Sequence, residues 1–395
     1  MRLHLFDPQL GAADGHYLGY DSAIVGEFER RGIGAAVYGS VQARAQLTAA
    51  FPVEPVFSRE IFTEVSADPQ IWPLENYAQL NDEVAAELAG LDTSRFEAGD
   101  LAFFPTILQN QIDGVRRWVT SLPLKRQPAL AIRISVLSHL MPYMQGRQNL
   151  VLTAMFLRQA ARRLAAEYPR TVFCADTEEL VELTRQIIDL PVALIPLPLT
   201  IERESRAAAP GARLCCAYLG HASPLKGVDL MPGLIAAFRN AADAPRFVVQ
   251  LYPNDASTEP LDQALSALPA DRTTIIRGPV EREAYLRLLD EADIVLLPYS
   301  AQLYGWASSG ILVEALSLGK VVVAPEDTWL SRQAQRYNAG CQTFRDHTPA
   351  GLAAALRQAI ADYPALARKA AEAAPSWRAG HSPARFVDVL LAAAT

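Results

Sequence analysis

Cysteine and histidine are scarce in this chain, at four and six of 395 residues. Cys174, Cys215, Cys216 and Cys341 include no Cys-x-x-Cys spacing, and the adjacent pair makes no disulfide framework. No histidine or cysteine cluster has metal-ligand spacing, so no metal is expected. Charge is sparse too: 20% of residues are charged against 50% apolar, too little for extended disorder. The 36 basic and 43 acidic residues give a net charge of -7, which argues against nucleic acid as a partner. Long hydrophobic runs are missing, and the longest, near Leu150–Leu157, is far too short to span a bilayer. Met1–Phe6 reads as a strand running into Asp7, not as a secretory leader. These absences point to a soluble, reduced, cytoplasmic protein, and the length calls for two or three domains.

Short β-rich runs alternate with helix-length segments along the whole chain. Strands are expected at Arg2–Phe6, Gly34–Tyr38, Leu101–Phe104, Ala129–Ser135, Thr171–Cys174 and Val192–Ile195. A second series is expected at Leu214–Leu219, Phe247–Tyr252, Thr274–Arg277, Ile294–Pro298 and Lys320–Ala324. Nearly continuous apolar runs of this kind suit parallel strands covered by helices on both faces. The fold class is therefore α/β. Pro196, Pro198 and the run Ala207-Ala208-Ala209-Pro210-Gly211 read as a linker. They divide the chain into residues 1–200 and 201–375, with a C-terminal helical segment at 376–395.

Two turns could hold phosphate. Strand Leu214–Leu219 runs into Gly220-His221-Ala222-Ser223-Pro224-Leu225-Lys226-Gly227 and then a helix. Glycine at a strand end lets a ligand approach the backbone, and a lysine by a helix start adds a cation. On its own, an ordinary βα turn explains this segment better. Further on, Tyr304-Gly305-Trp306-Ala307-Ser308-Ser309-Gly310 leads into Ile311 and a helix carrying Glu314. Small residues at a helix start expose N–H groups to phosphate oxygens. Glu314 would either cap its own helix or accept from ligand hydroxyls such as a ribose. Two such turns in one α/β domain favour a nucleotide ligand.

Four segments occur in a telling order: Gly-x5-Lys-Gly, Gly278-Pro279-Val280, Ala292-Asp293-Ile294-Val295-Leu296-Leu297-Pro298, and Ser309-Gly310-x3-Glu314-Ala315-x3-Gly319. Together they resemble retaining glycosyltransferases of the GT-B fold, in the family that includes sucrose synthase and bacterial mannosyltransferases. The resemblance is specific over about residues 212–345. Over the amino-terminal half it is generic, resting on Gly15-His16-Tyr17 and Leu194-Ile195-Pro196.

The resemblance implies two facing Rossmann-like domains with an interdomain cleft, the second holding the sugar nucleotide and the first presenting the acceptor. It implies a nucleotide-sugar-dependent hexosyltransferase with no cofactor and no metal, acting with retention on a glycan, a lipid-linked sugar or a small molecule. Lys226 would hold the donor diphosphate and Glu314 the ribose. Backbone N–H groups at Ser309, Gly310 and Ile311 would meet the diphosphate. Pro279 and Val280 would border the base, and the tail after Trp377 would cross back to the first domain. Gly15 and His16 would face the same cleft, with His16 counted among the catalytic residues beside Lys226 and Glu314.

Two donor-site positions depart from the family pattern. His221 follows Gly220 where the family has arginine, and histidine lacks arginine's fork of donors. Trp306 stands where the family often has a second glutamate, and would either stack on a sugar or fill the wall. No Asp-x-Asp, Gly-x-Gly-x-x-Gly or Gly-x-Ser-x-Gly occurs, which disfavours metal-clamped transferases, dinucleotide enzymes and serine hydrolases. A nucleotide-sugar 2-epimerase and a non-catalytic sugar-nucleotide binder remain as rival readings. Finally, Val115–Arg170 holds ten basic residues, from Arg116 to Arg170, against one acidic residue, Glu167. The span reads either as an ordinary basic surface or as a peripheral contact with an anionic membrane, with Arg158, Arg162 and Arg163 along one side of a helix.

Overall fold

The computed structural model describes residues 1–11, 16–43, 52–61, 65, 72–137, 150–199, 201, 213–241, 244–253, 256 and 258–394, with backbone alone for 16, 72, 73 and 150. Asp14, Gly15, His139, Arg147 and the linker residues 207–211 lie outside them. The chain forms two compact units, Met1–Pro198 with Pro383–Thr395, and Leu199–Ser382.

In unit 1, β1 (Leu3–Phe6), α1 (His16–Arg30), β2 (Ala35–Ser40), β3 (Glu54–Phe57), α2 (Trp72–Ala89), β4 (Leu101–Ile107) and α3 (Gln109–Ser121) come first. They are followed by β5 (Ala129–Ile134), α4 (Leu150–Glu167), β6 (Thr171–Ala175), α5 (Glu178–Ile188) and β7 (Val192–Leu194). The sheet is parallel throughout in the order β3-β2-β1-β4-β5-β6-β7. Strand β4 continues past the expected Phe104 through Pro105, and its register on β5 shifts between Phe104 and Ile107. Proline supplies no ladder donor, so a shift at that point is the expected outcome.

Unit 2 has β8 (Cys215–Tyr218), α6 (Met231–Phe238), β9 (Arg246–Leu251), α7 (Glu259–Ser266), β10 (Thr273–Arg277), α8 (Arg282–Glu291) and β11 (Ile294–Leu296). It continues with α9 (Ala301–Tyr304), α10 (Gly310–Ser317), β12 (Val321–Pro325), α11 (Trp329–Arg336), β13 (Cys341–Phe344), α12 (Pro349–Ala361) and α13 (Tyr363–Gly380). This sheet is also parallel, ordered β10-β9-β8-β11-β12-β13. Strands β8, β11 and β12 are buried along their whole length. Each buried valine in the Val321–Val323 run contributes roughly 1.5–3 kcal/mol by leaving water. Strand order reverses between β8 and β11, and in doubly wound sheets the crevice beyond such a reversal is where ligands bind.

The C-terminal segment corrects one expectation. Helix α13 runs through Pro375 and Trp377 to Gly380 and stays in unit 2, where the buried Trp377 indole donates to the Val313 carbonyl at 2.9 Å. The return to unit 1 is α14 alone (Pro383–Ala394), not all of 376–395. Phe386, Val387 and Leu390 of α14 join Tyr20, Ile24 and Phe28 of α1 in one apolar cluster.

Candidate functional site

At the reversal point of unit 2, β8 leads through Leu219 to Gly220, whose φ of 88° suits glycine alone. A Cβ there would sit 2.6 Å from Ile311 Cδ1 and 3.7 Å from Lys226 Nζ. The strand-end turn, the lysine and the start of α10 therefore converge on one spot. Lys226 closes a short helical turn, Pro224–Lys226, capped by Gly227 with φ 71°. A Cβ on Gly227 would come within 2.1 Å of the Pro298 carbonyl oxygen, so only glycine lets the turn press against the end of β11. The turn is further tied by the Tyr218 hydroxyl, which donates to the Lys226 carbonyl at 3.3 Å.

Lys226 Nζ stands 5.6 Å over the ring of Tyr299, just beyond β11. Among the described residues no carboxylate pairs with it. Burial alone pushes its ammonium down to about 8. Across the same spot, Ser309 caps α10 by accepting from Leu312 N–H at 3.3 Å. The first N–H groups of α10 have no acceptor within their own helix and form its positive end.

Glu314 lies one turn into α10 and is 9% exposed. Its Oε1 is 2.7 Å from Arg282 Nη1, and its Oε2 accepts from the Tyr285 hydroxyl at 2.6 Å. Both donors come from α8, which starts just after the Gly278–Val280 turn. The Arg282 guanidinium also stacks over the Tyr285 ring at 5.4 Å. Gly278 has φ 102°, Pro279 is exposed and Val280 half-buried.

His221 is exposed, with its ring edge-on to Tyr252 at 5.9 Å. Trp306 is buried and its indole N–H donates to the Gln302 carbonyl at 3.1 Å, the setting of a wall residue. Sequence reasoning missed Gln250 as well as Arg282 and Tyr285. Gln250 is buried on β9; its Oε1 accepts from Gly220 N–H at 2.9 Å and its Nε2 donates to the Gly278 carbonyl at 3.0 Å. One amide thus joins the Gly220 turn to the Gly278 turn. The only signal in the sequence is a lone polar residue in the apolar run Phe247–Leu251.

In unit 1, His16 is the first residue of α1. A buried polar group lies beyond the strands there. Asp7 follows β1, and Asp7 and Asp21 are both fully buried. Arg133 of β5 donates to Asp176 at 2.5 Å and to the Pro105 carbonyl at 3.0 Å, and stacks over Tyr20 at 5.1 Å. Burial first, and then the nearby Asp7 carboxyl, push Asp21 well above the usual carboxylate range. Asp7 rises too, because burial outweighs its bond from Gln9 N–H. His4 is buried between Tyr38 and Asp100, and His347 bonds the Pro298 carbonyl.

The basic span is not one free stripe. Arg158 and Arg162 share Asp189 at 3.4 and 3.3 Å, whereas Arg163 turns to Asp113 at 3.8 Å and Glu167 at 3.9 Å. Arg116 and Arg117 also pair with Asp113, and Arg117 with Asp82. The counting window simply excluded most of these partners. Among the described residues no helix is long and apolar enough to cross a membrane.

No protein-family model and no curated protein sequence matches the chain. Solved structures do match. The UDP-glucose complex of Anabaena HepE aligns with a TM-score of 0.64 at 16% identity, covering 100% of this chain and 98% of that one. Sucrose-phosphate synthase from Thermosynechococcus elongatus aligns with a TM-score of 0.64 at 13% identity, over 99% and 97%. The N-terminal domain of Candida albicans trehalose-6-phosphate phosphatase aligns with a TM-score of 0.67 at 12% identity, over 100% and 97%. Identities this low speak for fold and leave function to the site. With two parallel, Rossmann-like α/β units, the chain has the GT-B fold found in glycosyltransferase structures such as HepE and sucrose-phosphate synthase.

Proposed function

We propose that this protein is a glycosyltransferase that moves a hexose from a nucleotide-sugar donor to an acceptor with retention at the anomeric carbon. The observation that carries the reading is the convergence on Gly220 of Lys226 Nζ and the start of α10, at the reversal point of a doubly wound sheet. A cation with no carboxylate partner among the described residues and a helix N-terminus suit a diphosphate, and Glu314 one turn further along α10 suits the ribose. Structures of the same fold bound to UDP and UDP-glucose support the same ligand class.

In the proposed reaction the bond from the anomeric carbon to the donor phosphate breaks as the bond to the acceptor oxygen forms. Negative charge grows on the departing diphosphate, where Lys226 and the N–H groups at 309–311 stabilise it without a metal. The departing phosphate takes the acceptor proton, so the protein's part is to align the two partners. In this proposal Gly15 belongs with the donor-binding residues and His16 with the catalytic ones. The acceptor is a glycan, a lipid-linked sugar or a small molecule, the lipid-linked case with peripheral contact at the inner face of a membrane.

Incubation with a panel of UDP-, GDP- and ADP-sugars tests the reading. Nucleoside diphosphate release that depends on an added acceptor supports transfer. Acceptor-free epimerisation would identify a nucleotide-sugar 2-epimerase, and binding without turnover a sugar-nucleotide-binding protein.

A further inference from the structure

Glu314 is held by two donors that the reading above does not use. Arg282 and Tyr285 take one carboxylate oxygen each, at 2.7 and 2.6 Å, from the helix that begins just after the Gly278 turn. A carboxylate rotates about its last bond unless something fixes it. Here a guanidinium and a hydroxyl grip the two oxygens, and the stacking of Arg282 over Tyr285 links the grips. The carboxylate plane is therefore set before any ligand arrives. An ionised carboxylate has about four acceptor sites over its two oxygens, so two donors orient it without exhausting it.

We propose that Arg282 and Tyr285 are positioning residues that hold the Glu314 carboxylate in the orientation needed to accept from both hydroxyls of a ribose. This rests on the donor-site reading of Glu314 and adds the selectivity of that site. Side-by-side carboxylate oxygens match the side-by-side hydroxyls of a ribose 2′,3′-diol, so the site selects ribonucleotides over forms lacking those hydroxyls. Loss of either grip lets the carboxylate turn, and the second contact to the diol goes first. The diphosphate, held by Lys226 and α10, is untouched.

Calorimetric affinities test this with UDP, ADP and GDP, their 2′,3′-dideoxy counterparts and inorganic diphosphate, on wild type, Tyr285→Phe, Arg282→Gln, Arg282→Lys and Glu314→Gln. Wild type should prefer the ribose form by about tenfold or more, the scale of one charge-assisted hydrogen bond. Tyr285→Phe and Arg282→Gln should each shrink that preference about three- to tenfold by weakening the ribose form alone, with Arg282→Lys restoring part of it. Melting curves show which variants are folded, and Tyr285→Phe, which keeps the ring, decides the matter if Arg282→Gln is not. Equal weakening of ribose and dideoxy forms, or none, overturns the positioning role. A wild type that binds no nucleoside diphosphate, or a preference that survives Glu314→Gln, overturns the donor-site reading and this inference with it.

Discussion

Lys226 offers the sharpest test of the donor site because its charge is set by the fold. Burial pushes its ammonium down to about 8, and no carboxylate among the described residues holds it up. The sign follows directly. Folding disfavours the charged form, whereas a bound diphosphate favours it, so ligand binding takes up a proton. At pH 7 about 90% of the lysine is charged and at pH 9 about 10%, so affinity should fall roughly tenfold between them. An ordinary lysine, titrating at about 10.4, would give almost no change over that range. The ligand adds little of its own, because a terminal phosphate titrates near pH 6 and is ionised throughout. Calorimetry with UDP, ADP or GDP in two buffers of different ionisation enthalpy at pH 8 should register about half a proton taken up. Lys226→Ala should lose about ten- to a hundredfold in affinity at pH 7, the scale of a charge-assisted hydrogen bond, and should lose the pH slope as well. Its melting temperature should hold or rise, because a buried cation without a counterion is gone. Wild-type affinity that stays flat from pH 7 to 9, or a slope that persists in Lys226→Ala, would refute the reasoning.

Other consequences can be measured independently. Gln250→Leu leaves the part-buried Gly220 N–H and Gly278 carbonyl without their shared partner, at no more than about 1–3 kcal/mol for each, and should lower both the melting temperature and nucleoside diphosphate affinity; normal affinity in a folded variant rules out the bridge. Asp7 and Asp21 keep protons in the fold that they release when unfolded, so their stabilisation is complete below the ordinary carboxylate range and is lost as pH rises, for Asp7 through about 7. Melting temperature should therefore fall between pH 4 and 8 more steeply in wild type than in Asp21→Asn, and parallel curves would count against the pair. For the membrane part of the proposal, reversing Arg158, Arg162 and Arg163 to glutamate should abolish low-salt co-sedimentation with anionic liposomes. A wild type that stays in the supernatant at low salt ends that idea.

The parallel strands were legible because strands buried on both faces must be apolar on both, and runs such as Val321–Val323 have no other use. Edge strands escape that rule. Glu54–Phe57 and Cys341–Phe344 are short, mixed in polarity and half-buried, and neither stood out among the surrounding loops. The glycine and lysine of the phosphate turn were visible because their spacing is local. What was invisible was long-range. Gln250 bonds residues about 30 positions away in both directions, and Arg282 and Tyr285 reach Glu314 across a comparable distance. The ion pairs of the basic span were invisible for the same reason, since Asp82 and Asp189 become counterions only through the packing of their helices.

These long-range contacts bear on how the departure at His221 is tolerated. With an exposed histidine in place of arginine, the positive field at the Gly220 turn at pH 7 comes chiefly from Lys226 and the end of α10. A single cation serves best where water cannot screen it and nothing competes for it. Lys226 meets both conditions: it is desolvated, it rests against the face of Tyr299, and its carboxylate neighbours are absent among the described residues. The carboxylate of α10, Glu314, is instead held by Arg282 and Tyr285. Desolvating a lysine that has no carboxylate partner among the described residues weakens the ligand-free protein slightly, and the proposed diphosphate would recover the interaction on binding. In the proposed reaction it would grow further as the bond to the donor phosphate breaks and the diphosphate gains charge, so the same burial that lowers the lysine's proton affinity would make it a preorganised stabiliser of the leaving group.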